Sequence, residues 1–90
     1  MKQCVKLHIH GRVQGVYFRK FTHHKANQLG VTGWVKNLPD GSVEALAQAE
    51  EAILQEFIDW CHKGPITARV DRVDVITLAP NEDLITFFIK

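Results

Sequence analysis

Residues 11–20, GRVQGVYFRK, place two glycines four positions apart, then an aromatic pair, then two cations. Gly11 and Gly15 permit tight backbone geometry. Arg19 can hold two oxygens of one anion through its planar guanidinium, and its charge is permanent. Such a loop has two readings. It is a plain connection into a helix, or a cradle whose backbone amides and arginine hold an anion. No Gly-Lys-Ser or Gly-Lys-Thr follows, so it is not a P-loop, and the GxGxxG dinucleotide spacing is missing.

Charge favours the cradle. Helix starts favour acidic side chains, because their free amides carry partial positive charge. From residue 11 to residue 36 there is no Asp or Glu. That stretch carries Arg12, Arg19, Lys20, Lys25 and Lys36, with His23 and His24. Cations, free amides and a helix N-terminus converge there, at a cost of about 0.3–1 kcal/mol for each misplaced charge. An anion seated in the loop would remove the conflict. Arg12 and Lys36 are peripheral and steer an anionic ligand toward it.

Other reactive side chains carry less. His8 and His10 are two apart on a strand and share a face. With Cys4 the nearest further donor in sequence, they are read as exposed histidines of an open sheet face rather than metal ligands. His23 and His24 diverge on a helix surface and add charge below a pH of about 6.5. Cys4 and Cys61 form no CxxC pair, which removes redox and zinc-finger motifs. Cys4 alternates away from Val5, Leu7 and Ile9, whereas Cys61 sits on a helix expected to cover that apolar face, so both are expected as free thiols.

The elements that must position these residues follow from periodicity. Residues 4–10 alternate as a half-buried strand. Residues 19–29 form a helix closed by Gly30. Residues 32–38 and 42–48 form a hairpin about the turn Leu38-Pro39-Asp40-Gly41. Residues 50–63 form a second helix with Ile53, Leu54, Phe57, Ile58 and Cys61 on its apolar face. Glu50 and Glu51 open it, His62 and Lys63 close it, and Gly64-Pro65 ends it. Residues 69–78 form a strand whose alternation blurs at Val73–Val75, where a bulge is expected. The run Pro80–Asp83 turns the chain into a last strand at residues 84–90. Tyr17, Phe18, Phe21, Trp34, Trp60, Phe87 and Phe88 are assigned mostly to the core, with Trp34 a candidate for the open face.

The order is β-α-β-β-α-β with an extra C-terminal strand. Two crossovers and one hairpin predict an α+β fold, the ferredoxin-like α/β plait: an antiparallel sheet with both helices on one face. The 90 residues are read as a single domain, 46% hydrophobic, with no membrane-length apolar run and no secretory leader pattern. A net charge of +1 excludes the strongly basic surface of a bulk nucleic-acid binder. The expectation is a cytoplasmic monomer that contacts neither nucleic acid nor membrane. The plan alone specifies no activity.

Two signatures add to this reading. Residues 11–19, GRVQGVYFR, resemble the first signature of the acylphosphatases throughout. Residues 33–49, GWVKNLPDGSVEALAQA, resemble the second, with Gly33, Trp34, Val35, Lys36, Asn37, Gly41 and Val43 in place. The chain departs at Ala49, where the family usually has glycine, which leaves the start of the second helix open.

The resemblance implies hydrolysis of acyl phosphates to a carboxylate and inorganic phosphate, with no metal, no cofactor and no phosphoenzyme. It implies that Arg19 binds the phosphate and that Asn37 positions the attacking water. The cradle would be formed by the amides of Arg12, Val13, Gln14, Gly15, Val16, Tyr17, Phe18 and Arg19. The expected partners are a small acyl phosphate and inorganic phosphate, the product and an inhibitor. The residue types suit that chemistry. A carboxylate leaving group, pKa about 4, departs without a proton donor. Phosphoryl transfer asks mainly for positioning and charge stabilisation. An amide at Asn37 can hold a water without repelling the phosphate, although by itself an asparagine before Pro-Asp-Gly reads as a turn residue. Two other classes are weighed: a regulatory acylphosphatase-like domain without turnover, and an RNA-binding plait. Against the first, the chain starts with Met and carries no further domain. Against the second, GVYF precedes a helix instead of lying on a central strand.

Overall fold

The computed structural model describes residues 1–90. Strand β1, Lys2–Arg12, sends Val5, Leu7 and Ile9 into the core and turns His8 and His10 to the other face. A loop leads to helix α1, Phe18–Leu29. The helix ends at Gly30 in the left-handed conformation, whose N–H donates to the Ala26 carbonyl, as the sequence predicts. Strands β2, Thr32–Asn37, and β3, Val43–Glu50, form the hairpin. Helix α2, Glu51–Lys63, buries Leu54, Phe57, Ile58 and Cys61 at helical spacing. Ile53 turns outward instead of joining that stripe. Strand β4, Arg69–Leu78, and short strand β5, Phe87–Ile89, complete the chain.

The five strands lie in the order β4-β1-β3-β2-β5, and their apolar side makes one core with both helices. The first four pair antiparallel, as a plait requires. Strand β5 pairs parallel to β2, so the sheet is mixed. After β4 at one edge, the chain crosses the sheet to reach the free side of β2 at the other. Only residues 87–89 join the ladder; Ile85 is exposed. Phe87 enters the core edge-on to Phe57.

Three expectations change in detail. The irregularity in β4 falls between the pairs His10–Arg72 and Gly11–Val70, which leaves Asp71 as the extra residue, rather than at Val73–Val75. A Cβ on Gly11 would stand 2.1 Å from the Arg69 carbonyl oxygen, so the bulge closes onto a residue that must lack one. Ala49 lies inside β3, buried and paired with Gln3, and the strand passes into α2 at Glu50 with no loop between. Of the aromatic residues, Phe18 and Phe87 are core, whereas Tyr17, Phe21 and Phe88 are exposed. Trp34 lies on the open face, with the Lys36 and Lys90 ammonium groups 5.2 and 4.2 Å from its ring centre.

Both cysteines are free and buried. Cys61 faces the core, and burial pushes its thiol well above the ordinary 9.0. Cys4 is on the open side, yet it is buried too, and burial raises its thiol as well. Its neighbour across the strands is Gln48, whose amide exchanges two hydrogen bonds with the Asn81 backbone, at 2.7 and 3.0 Å. The segment after β4 therefore folds back over this end of the open face.

Candidate active site

The loop between β1 and α1 is built by alternation. Val13, Val16 and Phe18 are buried and anchor it from below. Gln14, Gly15, Tyr17 and Arg19 turn toward a cleft of about 300 Å3. Gly15 has φ +74°, with open space where a side chain would stand, so its role is conformational. Tyr17 has φ 63° and ψ 25°, the only left-handed residue that is not glycine. Such a conformation costs on the order of 1–3 kcal/mol and is concentrated at functional sites. It sits at the N-cap of α1, where no side chain caps the free amides and no acidic residue occupies the first turn.

Two hydrogen-bonded clamps keep the loop open. The Gln14 amide donates to the Leu38 and Ser42 carbonyls, both at 2.8 Å, and ties the loop to the β2–β3 turn. The Thr67 hydroxyl donates to the Val16 carbonyl at 2.9 Å from the other side. Arg19 Nη1 donates to the Lys90 carbonyl at 3.1 Å, and the Lys90 amide donates to the Val35 carbonyl at 2.9 Å. The return of the chain beside β2 thus orients the guanidinium. None of these supporting contacts is marked by spacing in the sequence, because each joins residues at least 24 positions apart.

Asn37 enters from β2. It lines the same cleft as Val13, Gln14, Gly15, Tyr17, Phe18 and Arg19. Its side chain makes no intramolecular hydrogen bond, although it immediately precedes the turn. The work expected of a turn residue is done by Asp40, whose carboxylate accepts from the Ser42 amide at 2.9 Å and the Ser42 hydroxyl at 2.5 Å. Those bonds hold the Asp40 carboxyl below its ordinary range. Asn37, which lines the cleft, is thereby left with its side-chain amide unengaged.

Not every loop residue named from the sequence faces this space. Arg12 ends β1 opposite Arg69, and its side chain is exposed outside the cleft. Val16 is a core residue. Lys36 points to the open sheet face, where it pairs with Glu44 at 3.5 Å. No carboxylate lines the cleft. The site therefore offers a permanent cation, free helix amides and a neutral amide, with no acid to oppose an anion.

Comparison with known proteins identifies the family. The acylphosphatase family's sequence profile matches residues 5–89. The chain belongs to that family, the class of hydrolases that cleave an acyl phosphate into a carboxylate and inorganic phosphate. An acylphosphatase of Rubrobacter xylanophilus is 52% identical over 71 residues, which span 79% of this chain and 64% of that protein's length. The crystal structure of acylphosphatase from Bacillus subtilis superposes with a TM-score of 0.93 at 37% identity, covering 100% of this chain and 99% of that one. An acylphosphatase structure from Coxiella burnetii gives 0.93 at 36% identity, covering 99% and 93%.

Proposed function

We propose that the chain carries out the acylphosphatase reaction without a metal, using the 13–19 loop and Asn37 as its whole apparatus. One observation carries this reading: a single cleft collects Arg19, the loop at the acid-free start of α1, and the unengaged amide of Asn37. The phosphate of the substrate sits against the loop amides, with Arg19 across two of its oxygens. Charge that develops on those oxygens meets donors already in place. Asn37 holds a water toward phosphorus, on the side away from the leaving carboxylate. Water adds, the bond from phosphorus to the acyl oxygen breaks, and the carboxylate leaves with the bonding pair. The water's proton passes to a phosphate oxygen. No general acid is needed, since a carboxylic acid of pKa about 4 leaves ionised at neutral pH.

The same reading makes inorganic phosphate an inhibitor, because the product fits the cradle that binds the substrate. Residues 1–90 act as one domain and as a monomer. One continuous core and a radius of gyration of 11.8 Å, against about 12 Å for a compact chain of this length, support the single domain. No helix is long and apolar enough to cross a membrane. Two free, buried thiols fit a cytoplasmic location.

The test is to mix purified protein with benzoyl phosphate in EDTA and follow loss of the acyl phosphate. Rapid hydrolysis, slowed by free phosphate, is expected. Folded protein that binds phosphate yet leaves the substrate intact would overturn the catalytic reading in favour of a binding domain.

A further inference from the structure

On the open sheet face, away from the cleft, four residues form one transverse row. Lys36 of β2 stands opposite Glu44 of β3, Glu44 opposite His8 of β1, and His8 opposite Asp74 of β4. His10 follows two residues along β1, opposite Arg72. The sequence reading finds no carboxylate near these histidines, because Asp74 lies 64 positions from His10; strand pairing supplies it. Donor atoms of His8, His10 and Asp74 all lie within 4.8 Å of one another. The two imidazole rings are 4.0 Å apart, centre to centre.

We propose that His8, His10 and Asp74 bind a divalent transition-metal ion of the zinc type, in exchange for the Arg72 guanidinium. Two imidazoles and one carboxylate are the donor set such ions prefer, and three protein ligands leave a position for water. A zinc–nitrogen bond of about 2.0–2.1 Å puts tetrahedral ligands roughly 3.3 Å apart, so the side chains need close by only about 1.5 Å at most. All three are at least partly exposed and have room to do so.

The hydrogen bonds show which atoms are free. Ser42 has one hydroxyl proton, and it goes to the Asp40 carboxylate at 2.5 Å. The His8 Nε2 contact to Ser42 Oγ at 2.7 Å is therefore a donation from His8. In neutral His8 this leaves the Nδ1 lone pair available. A cation already bridges the other two ligands: Arg72 lies 3.2 Å from His10 Nε2 and 3.2 Å from the Asp74 carboxylate. Its side chain is 65% exposed, so it can swing into solvent when a metal takes its place. Glu44 remains engaged with Lys36.

Zinc chloride is titrated calorimetrically into the whole protein in a non-coordinating buffer, and histidine ring nitrogens are followed by NMR. One equivalent is expected to bind and to move the His8 and His10 signals, while Mg2+ at the same concentration moves none. His10→Ala and Asp74→Asn should each weaken binding at least about tenfold. Arg72→Ala should tighten it. The proposal is overturned if binding survives in the His8→Ala/His10→Ala double variant, checked as folded by circular dichroism. It is overturned equally if the His23 and His24 signals respond instead, if no zinc binds, or if Arg72→Ala binds no more tightly than the parent chain.

Discussion

The two helices begin in opposite ways. Helix α2 starts with Glu51 in its first turn, and the Glu50 carboxylate at its N-cap is met by the N-terminal amine of Met1. It leaves the strand directly. Helix α1 starts with Phe18, Arg19 and Lys20, preceded by a left-handed tyrosine, and opens onto a cleft. Neither helix has a side-chain cap. One N-terminus is compensated by the chain's own carboxylates. The other carries Arg19 and Lys20 with no acid in its first turn, a charge that an anionic ligand would compensate. Local charge thus sets the two helix starts apart, although both belong to the same two-layer scaffold.

The largest test of this contrast is Arg19→Ala. It removes the fixed charge from the α1 terminus, and kcat/KM for an acyl phosphate should fall about 1000-fold, the scale of losing a principal oxyanion donor. Inhibition by phosphate should vanish with it; inhibition that persists at the parent concentration would break the assignment. Asn37→Ala comes next. It should lower kcat about 100-fold while the phosphate inhibition constant stays within a few-fold, because the substituted amide meets the water and not the phosphate. Parallel losses in both quantities would show instead that Asn37 binds phosphate.

Gln14→Ala sharpens the comparison from the structural side. It removes both hydrogen bonds to the hairpin turn and should lower stability by about 1–3 kcal/mol, read as a shift of the urea midpoint. Phosphate affinity should weaken as the loop loosens. The smallest effect belongs to α2. Glu51→Lys should cost about 0.3–1 kcal/mol of stability and leave hydrolysis unchanged. A change in turnover from that substitution would mean that the two termini are not independent.

Much of this was legible in one dimension. The period-two run at residues 4–10 and the 3.6-period stripe Leu54, Phe57, Ile58, Cys61 appear where expected, because burial of one face imposes its period on the sequence. Gly30 ends α1 and Gly64 ends α2 for a local backbone reason. The acid-free stretch from residue 11 to residue 36 marks the candidate site by itself, since uncompensated charge at a helix start is a local conflict.

What the tertiary structure decided is what depends on which strands become neighbours. The parallel docking of β5 brings the Lys90 carbonyl to Arg19. The hairpin brings Asn37 beside a loop some 20 residues earlier and lets Asp40, not Asn37, close the turn. Pairing of β1 with β4 sets Asp74 beside two histidines whose sequence neighbours offer no carboxylate. Periodicity reports which face of an element is buried, but it is silent on register. Register is settled by the whole sheet closing over one core, and it is register that chooses each side chain's partner across the strands.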